Sequence, residues 1–125
     1  MIVGTGVDIC EVPRIAQSIA RFGDRFLQRV FTPEEIRYCQ SKKNSTERFA
    51  ARFAAKEAAM KALGTGQRQG VIWKSVEVAH APGGRPILRL SGTAAEIAQK
   101  LGVSRTSLSL THSESTAIAI VIFEE

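Results

Sequence analysis

Alternation opens the chain. In "IVGTGVDI", residues 2–9, Val3, Thr5, Val7 and Ile9 fall on one side of an extended segment. Ile2, Gly4, Gly6 and Asp8 fall on the other, which predicts a strand of period two. Two glycines beside a carboxylate on one face leave room for a backbone or a ligand to come close. Pro13 suits the first turn of a helix that runs to about Phe22, where Gly23 interrupts it. "TPEE" at 32–35 is a second helix start: Thr32 caps, Pro33 takes N1, and Glu35 completes a capping box for a helix reaching about Ser41. Asn44 or Ser45 caps a long helix that stops at Leu63 and Gly64. Further on, "VIWKSVEVAH" and "PILRLSG" read as a hairpin about the turn "APGGR". Thr93 and Glu96 form another capping-box pattern, opening a helix that ends at Leu101 and Gly102. "TSLSLTH" and "TAIAIVIF" are the closing strands, the last apolar on both faces and so expected to be central. These elements predict an α+β fold, an antiparallel β-sheet packed against a long central α-helix.

That helix, "RFAARFAAKEAAMKAL" from Arg48, is apolar on two sides. At 100° per residue, Phe53, Met60 and Leu63 lie within about 40° of Phe49. Ala51, Ala55, Ala58 and Ala62 lie opposite, where small side chains permit close approach. Four charges are left to the flanks, Glu57 with Lys61 on one and Arg52 with Lys56 on the other. Exposed i,i+4 pairs are common and weak, so the Glu57–Lys61 spacing alone signals little. The helix, however, leaves few exposed positions and runs directly into "GTG", Gly64–Thr65–Gly66, whose backbone amides could cradle a phosphate. Gly64 serves equally well as a helix C-cap. Asp8 and Glu57 could place two carboxylates on one Mg²⁺, an ion that takes one or two carboxylates together with substrate phosphates and water. His112 continues the Leu108, Leu110 face at a strand end, which suits either a core residue or a ligand contact. His80 reads as a surface residue without a role.

Composition narrows the class. A chain of 125 residues with ordinary apolar and charged content supports one folded domain, residues 1–125. No apolar run approaches a membrane span, and the N-terminal "MIVGTGVDIC" lacks the charged region of a signal peptide. Cys10 and Cys39 have no metal-ligand spacing and fit free thiols, so a cytoplasmic protein is expected. The net charge of +5 is local: residues 11–61 hold 11 Lys/Arg against 6 Asp/Glu, and the remainder balances. Polarised charge points to an acidic partner or a phosphorylated ligand. On a continuous helix Arg14, Arg21, Arg25 and Arg29 would share an arc of about 80°. They form either a solvated face or a docking surface.

Together "GTGVDI" at 4–9, "RFAAKEAAMKALGTG" at 52–66, "GGRP" at 83–86 and "LSLTHSESTAIAIVI" resemble the holo-[acyl-carrier-protein] synthase family of 4′-phosphopantetheinyl transferases. The resemblance spans essentially the whole chain. It implies the phosphopantetheinyl transferase fold as a homotrimer with interfacial sites, and transfer of the 4′-phosphopantetheine arm of coenzyme A to a serine of apo acyl carrier protein, for fatty acid biosynthesis. Asp8 and Glu57 would then ligate Mg²⁺, with Lys61 neutralising phosphoryl charge. A base must remove the serine proton, and Glu57, directly or through a metal-bound water, is the candidate, with Asp8 mainly a ligand. Coenzyme A would contact Arg52, Lys61, Gly64, Thr65, Gly66, Arg85, Pro86 and His112. Arg14, Arg21 and Arg25 would dock the acidic carrier protein. The competing reading is a non-enzymatic basic module for RNA or another polyanion. The basic segment, however, lacks the aromatic interleaving and motifs of nucleic-acid binders.

Overall fold

The computed structural model describes all 125 residues. β1 (Ile2–Glu11) leads into α1 (Val12–Phe22), α2 (Asp24–Val30), α3 (Pro33–Gln40) and α4 (Ser45–Leu63). The hairpin β2 (Val76–His80) and β3 (Pro86–Leu90), the helix α5 (Gly92–Lys100), and the strands β4 (Arg105–His112) and β5 (Thr116–Glu124) follow. The class is α+β with antiparallel pairing, as expected. The strands nevertheless divide into two sheets, a three-stranded one in the order β1-β5-β4 and the separate β2-β3 hairpin. The ladder does not continue from β3 to β4, and an open groove of about 410 Å³ is lined by residues of both. β5, apolar on both faces, is central in its sheet.

Local chemistry explains most boundaries. Thr32 accepts from the Glu35 amide, and the Glu35 carboxylate accepts from the Thr32 amide, so the expected capping box starts α3. Asn44 occupies the N-cap of α4 without a side-chain cap bond, because its Oδ1 accepts from Arg48 Nε instead. α5 begins at Gly92 with Ser91 as N-cap, two residues ahead of the expected Thr93 cap. Gly23, at φ 56°, ends α1, but the chain immediately re-forms a helix, α2, which local pattern did not signal. Only Val76–His80 of the expected 71–80 strand pairs as a strand. Upstream, Trp73–Ser75 make a 3₁₀ turn, with the Ser75 hydroxyl donating to the Ile72 carbonyl. Trp73 there stacks on Phe53 of α4, their centroids 4.8 Å apart.

One packing contact positions the site. Gly4 and Gly6 of β1 lie against Ala62 and Ala58 of α4, so closely that a Cβ at either glycine would overlap a helix carbonyl oxygen. The absence of side chains on β1 and the alanine stripe on α4 together let strand and helix meet backbone to backbone. Asp8, next on the same strand face, is thereby carried to the flank of α4 that bears Lys61.

The other flank of α4 is interior. Lys56 is 0 % exposed and donates to Glu35 Oε1 at 2.7 Å, to the Val76 carbonyl at 2.6 Å and to the Trp73 carbonyl at 3.2 Å. Glu35 Oε2 in turn accepts from the Val78 amide at 2.8 Å. Burial pulls the Lys56 ammonium below the ordinary lysine range, against the Glu35 carboxylate that holds it up. The pair ties α3, α4 and β2 together. Arg52 and Lys56 therefore do not emerge as a charged flank, because both are buried. Cys10 and Cys39 are free thiols, buried and pushed up by desolvation to about 11 and about 12.

Candidate active site

Asp8, Glu57 and Lys61 come together where β1 crosses α4. Lys61 Nζ donates to Asp8 Oδ1 at 2.8 Å and to the Val7 carbonyl at 3.1 Å. The lysine side chain is 55 % exposed and the aspartate 12 %, so the pair opens on solvent from a recessed carboxylate. Lys61 thus bonds across to the strand rather than to Glu57 one turn before it. Side-chain hydrogen bonding to Asp8 raises the Lys61 ammonium above its ordinary value. Glu57 is half-buried, and desolvation first, then the neighbouring Asp8 charge, raises its carboxyl, opposed by Arg14 and Lys61. A shallow groove of about 300 Å³ lies over the pair, lined by Val7, Asp8, Ile9, Lys61 and Ile118.

No group of three or more His, Cys, Asp or Glu side chains could hold a metal ion here. The two carboxylates suit a different partner. Asp8 raises the Glu57 carboxyl because two anions share the region, and a divalent cation between them would relieve that repulsion. Mg²⁺ fits such a pair, since it takes its remaining ligands from substrate phosphates and water.

The other residues singled out in the sequence lie apart from this centre. Arg52 is 3 % exposed; its guanidinium lies 4.3 Å over the Tyr38 ring, and Nη2 is 3.2 Å from His80 Nε2. Arg52 Nε is buried without a partner. His112 Nδ1 lies 3.0 Å from Glu47 Oε1 near the start of α4. Arg85 and Pro86 line the 410 Å³ groove, which β4 closes with Thr106, Ser107 and Ser109. No hydrogen bond or ion pair joins Arg52, Arg85 or His112 to Asp8, Glu57 or Lys61 within the chain. The 64–66 turn also behaves differently from a free phosphate cradle. The amides of Gly64, Thr65 and Gly66 all point inward to the Met60 carbonyl, at 3.1, 3.2 and 3.3 Å, and cap the helix. Gly64 and Gly66 have positive φ, and a Cβ on either would meet nothing within 4 Å, so the outer side of the turn is open.

The basic residues divide at Gly23. Arg14 and Arg21 belong to α1, Arg25 and Arg29 to α2. Arg14 stands nearest the carboxylates, with its guanidinium 5.8 Å from the Phe53 ring centroid. A groove of about 220 Å³ between the two helices is lined by Ser18, Phe22, Arg25, Phe26 and Arg29, and Phe22 is 47 % exposed. Tyr38 and His80 carry no local sequence signal for their contact with Arg52. Only tertiary packing brings α3, α4 and the end of β2 to one point.

Comparison with known proteins agrees with this architecture. Residues 4–121 match the family described as the 4′-phosphopantetheinyl transferase superfamily. A holo-[acyl-carrier-protein] synthase of Koribacter versatilis is 66 % identical over 125 residues, covering 100 % of both chains. The crystal structure of the Neisseria meningitidis holo-[acyl-carrier-protein] synthase superposes with a TM-score of 0.91 at 36 % identity, again over 100 % of both chains. The Helicobacter pylori synthase, solved in complex with coenzyme A, gives 0.84 at 31 % identity over 96 % of this chain and 99 % of that one. The chain belongs to the 4′-phosphopantetheinyl transferase superfamily.

Proposed function

We propose that the chain is a holo-[acyl-carrier-protein] synthase. It transfers the 4′-phosphopantetheine group of coenzyme A to a serine hydroxyl of apo acyl carrier protein and releases adenosine 3′,5′-bisphosphate. The observation that carries the reading is the meeting of Asp8 and Lys61 across β1 and α4, beside a Glu57 carboxyl raised by burial and by Asp8. The full-length identity to a synthase supports it. Neither the fold nor the relatives favour the polyanion-binding alternative.

In the reaction the serine oxygen forms a bond to the β-phosphorus of the pyrophosphate. The bond from that phosphorus to the bridging oxygen breaks, and the electron pair leaves with adenosine 3′,5′-bisphosphate. Glu57, directly or through a water, takes the serine proton. Lys61 is exposed, already turned toward Asp8, and free to follow a phosphoryl oxygen as charge builds on it. Asp8 and Glu57 would hold Mg²⁺, which when bound supplies Lewis-acid charge to the pyrophosphate. Arg52 and His112 would meet the phosphates of coenzyme A, and Arg85 with Pro86 its adenine end. The open side of the 64–66 turn would give the pantetheine side room.

The functional unit is a homotrimer, with sites between subunits. Supporting this, the outer face of the three-stranded sheet leaves Val7, Ile9, Ile118 and Ile120 at 58, 59, 40 and 44 % exposure. These four pair as Val7 with Ile120 and Ile9 with Ile118, a contiguous apolar patch beside Asp8. Arg52, Arg85, Pro86 and His112 would then complete a neighbour's site. Arg14, Arg21 and Arg25, with Phe22 exposed among them, offer an acidic carrier protein charge and an apolar anchor. The protein works in the cytoplasm, and no helix is long and apolar enough to cross a membrane. The reading is tested by chromatography of the nucleotide product. Adenosine 3′,5′-bisphosphate should appear from coenzyme A only when apo carrier protein is present. Its absence with a folded enzyme and Mg²⁺ would contradict the assignment.

A further inference from the structure

His80 ends β2, and its ring lies on Tyr38 of α3 with centroids 4.4 Å apart and planes inclined by 37°. Its Nε2 is 3.2 Å from Arg52 Nη2. A guanidinium can only donate, so this nitrogen accepts, and the imidazole is neutral with its proton on Nδ1. Tyr38 lies under the guanidinium face, and the Arg48 carbonyl accepts from Nη1 at 3.4 Å. Arg52 is therefore held on three sides by neutral groups. It takes part in no salt bridge, so its charge is not cancelled within the chain. An arginine fixed by neutral acceptors is prepared for an anion from outside; one fixed by a carboxylate is not.

We propose that His80 is a positioning residue for coenzyme A: as a neutral acceptor, with Tyr38 as the platform, it fixes the Arg52 guanidinium for a phosphate of that substrate. This rests on the assignment of Arg52 to coenzyme A above. The groups facing the imidazole are Arg52 and Arg48 from α4, Tyr38 from α3 and Lys42 from the turn that follows it. Every charged one is a cation. Desolvation first, then Arg52, Lys42 and Arg48, lowers the imidazole below its ordinary 6.5 and keeps it neutral at pH 7. Acidification through that lowered value turns the acceptor into a donor facing another donor, and Arg52 loses its anchor.

The test is calorimetric binding of coenzyme A, with steady-state kinetics, on full-length wild-type, His80→Gln and His80→Phe proteins between about pH 7.5 and about pH 5.5. The glutamine carbonyl can replace Nε2 as a neutral acceptor that does not titrate. His80→Phe should raise Kd and KM for coenzyme A about tenfold with kcat within about twofold, and His80→Gln should restore affinity to within about threefold. On acidification the wild type should lose affinity relative to His80→Gln. The phosphates of coenzyme A titrate identically in both measurements, so their ratio isolates His80. Wild-type affinity in a folded His80→Phe protein would overturn the proposal. So would a wild type that gains affinity relative to His80→Gln in acid, because the imidazolium would then be a direct phosphate ligand. Arg52→Gln binding coenzyme A like wild type would instead overturn the assignment of Arg52, a separate failure.

Discussion

Glu57 and Lys56 are neighbours in sequence and opposites in chemistry. Lys56 points inward to Glu35 and three elements close around it; Glu57 faces Asp8 at a half-open edge. Removing one partner of a buried pair leaves an unpaired charge. Lys56→Met should therefore cost about 3–5 kcal/mol in urea unfolding, with the loss coming from the buried Glu35. Glu57 predicts the reverse. Its raised folded-state carboxyl means that ionised Glu57 opposes folding, so stability falls as pH rises from 4.5 through the raised value. Glu57→Gln should raise the Tm of the metal-free protein at neutral pH while lowering kcat by about 10²–10⁴. A variant with wild-type kcat would remove Glu57 as the base.

At the level of elements, the contact between β1 and α4 is the most constrained in the fold. Gly6→Ala places a methyl group into the Ala58 carbonyl, and overpacking of this kind costs about 1–3 kcal/mol or more. Thr5→Ala, on the exposed face of the same strand, should stay within about 0.5 kcal/mol, so urea midpoints of the two variants separate packing from strand propensity. The two glycines on one strand face and the alanine stripe on α4 were each legible, from alternation and from helical period, but not that they meet. So were the Thr32–Glu35 box and the central place of β5, because each rests on contacts within a few residues or on two-sided hydrophobicity. α2 was not, since a glycine at φ 56° reads as a stop and only packing of Leu27 and Val30 restarts the helix. The division into two sheets was equally hidden, because strand pattern does not say which edges meet. At the site, residue type alone raised Asp8 and Glu57 as a carboxylate pair for one Mg²⁺, but sequence separation says nothing of proximity, and the family resemblance gave the pair its weight. Lys56 and His80 were missed for one reason. Their partners, Glu35 and Arg52, lie 21 and 28 residues away.

Across the whole molecule, charge and apolar surface are segregated. The sheet face with Val7, Ile9, Ile118 and Ile120 is apolar at its centre, with Glu11, Arg105 and Glu124 at its ends, and the α1–α2 surface is basic. If the first holds copies of the chain together, Ile118→Asp should shift the sedimentation equilibrium from trimer to monomer and lower activity with it. A variant that remains trimeric would place the interface elsewhere. If the second docks the carrier protein, the double variant Arg21→Glu, Arg25→Glu should raise KM for the carrier about tenfold or more and leave Kd for coenzyme A within about twofold. Loss of coenzyme A binding in that variant would contradict the docking role. The central claim is the transfer itself, and intact-mass spectrometry of apo acyl carrier protein incubated with the enzyme and coenzyme A tests it most directly. The account predicts a gain of one phosphopantetheine on the carrier, abolished by chelator and restored by Mg²⁺. An unchanged carrier mass in the presence of folded enzyme, coenzyme A and Mg²⁺ would contradict it.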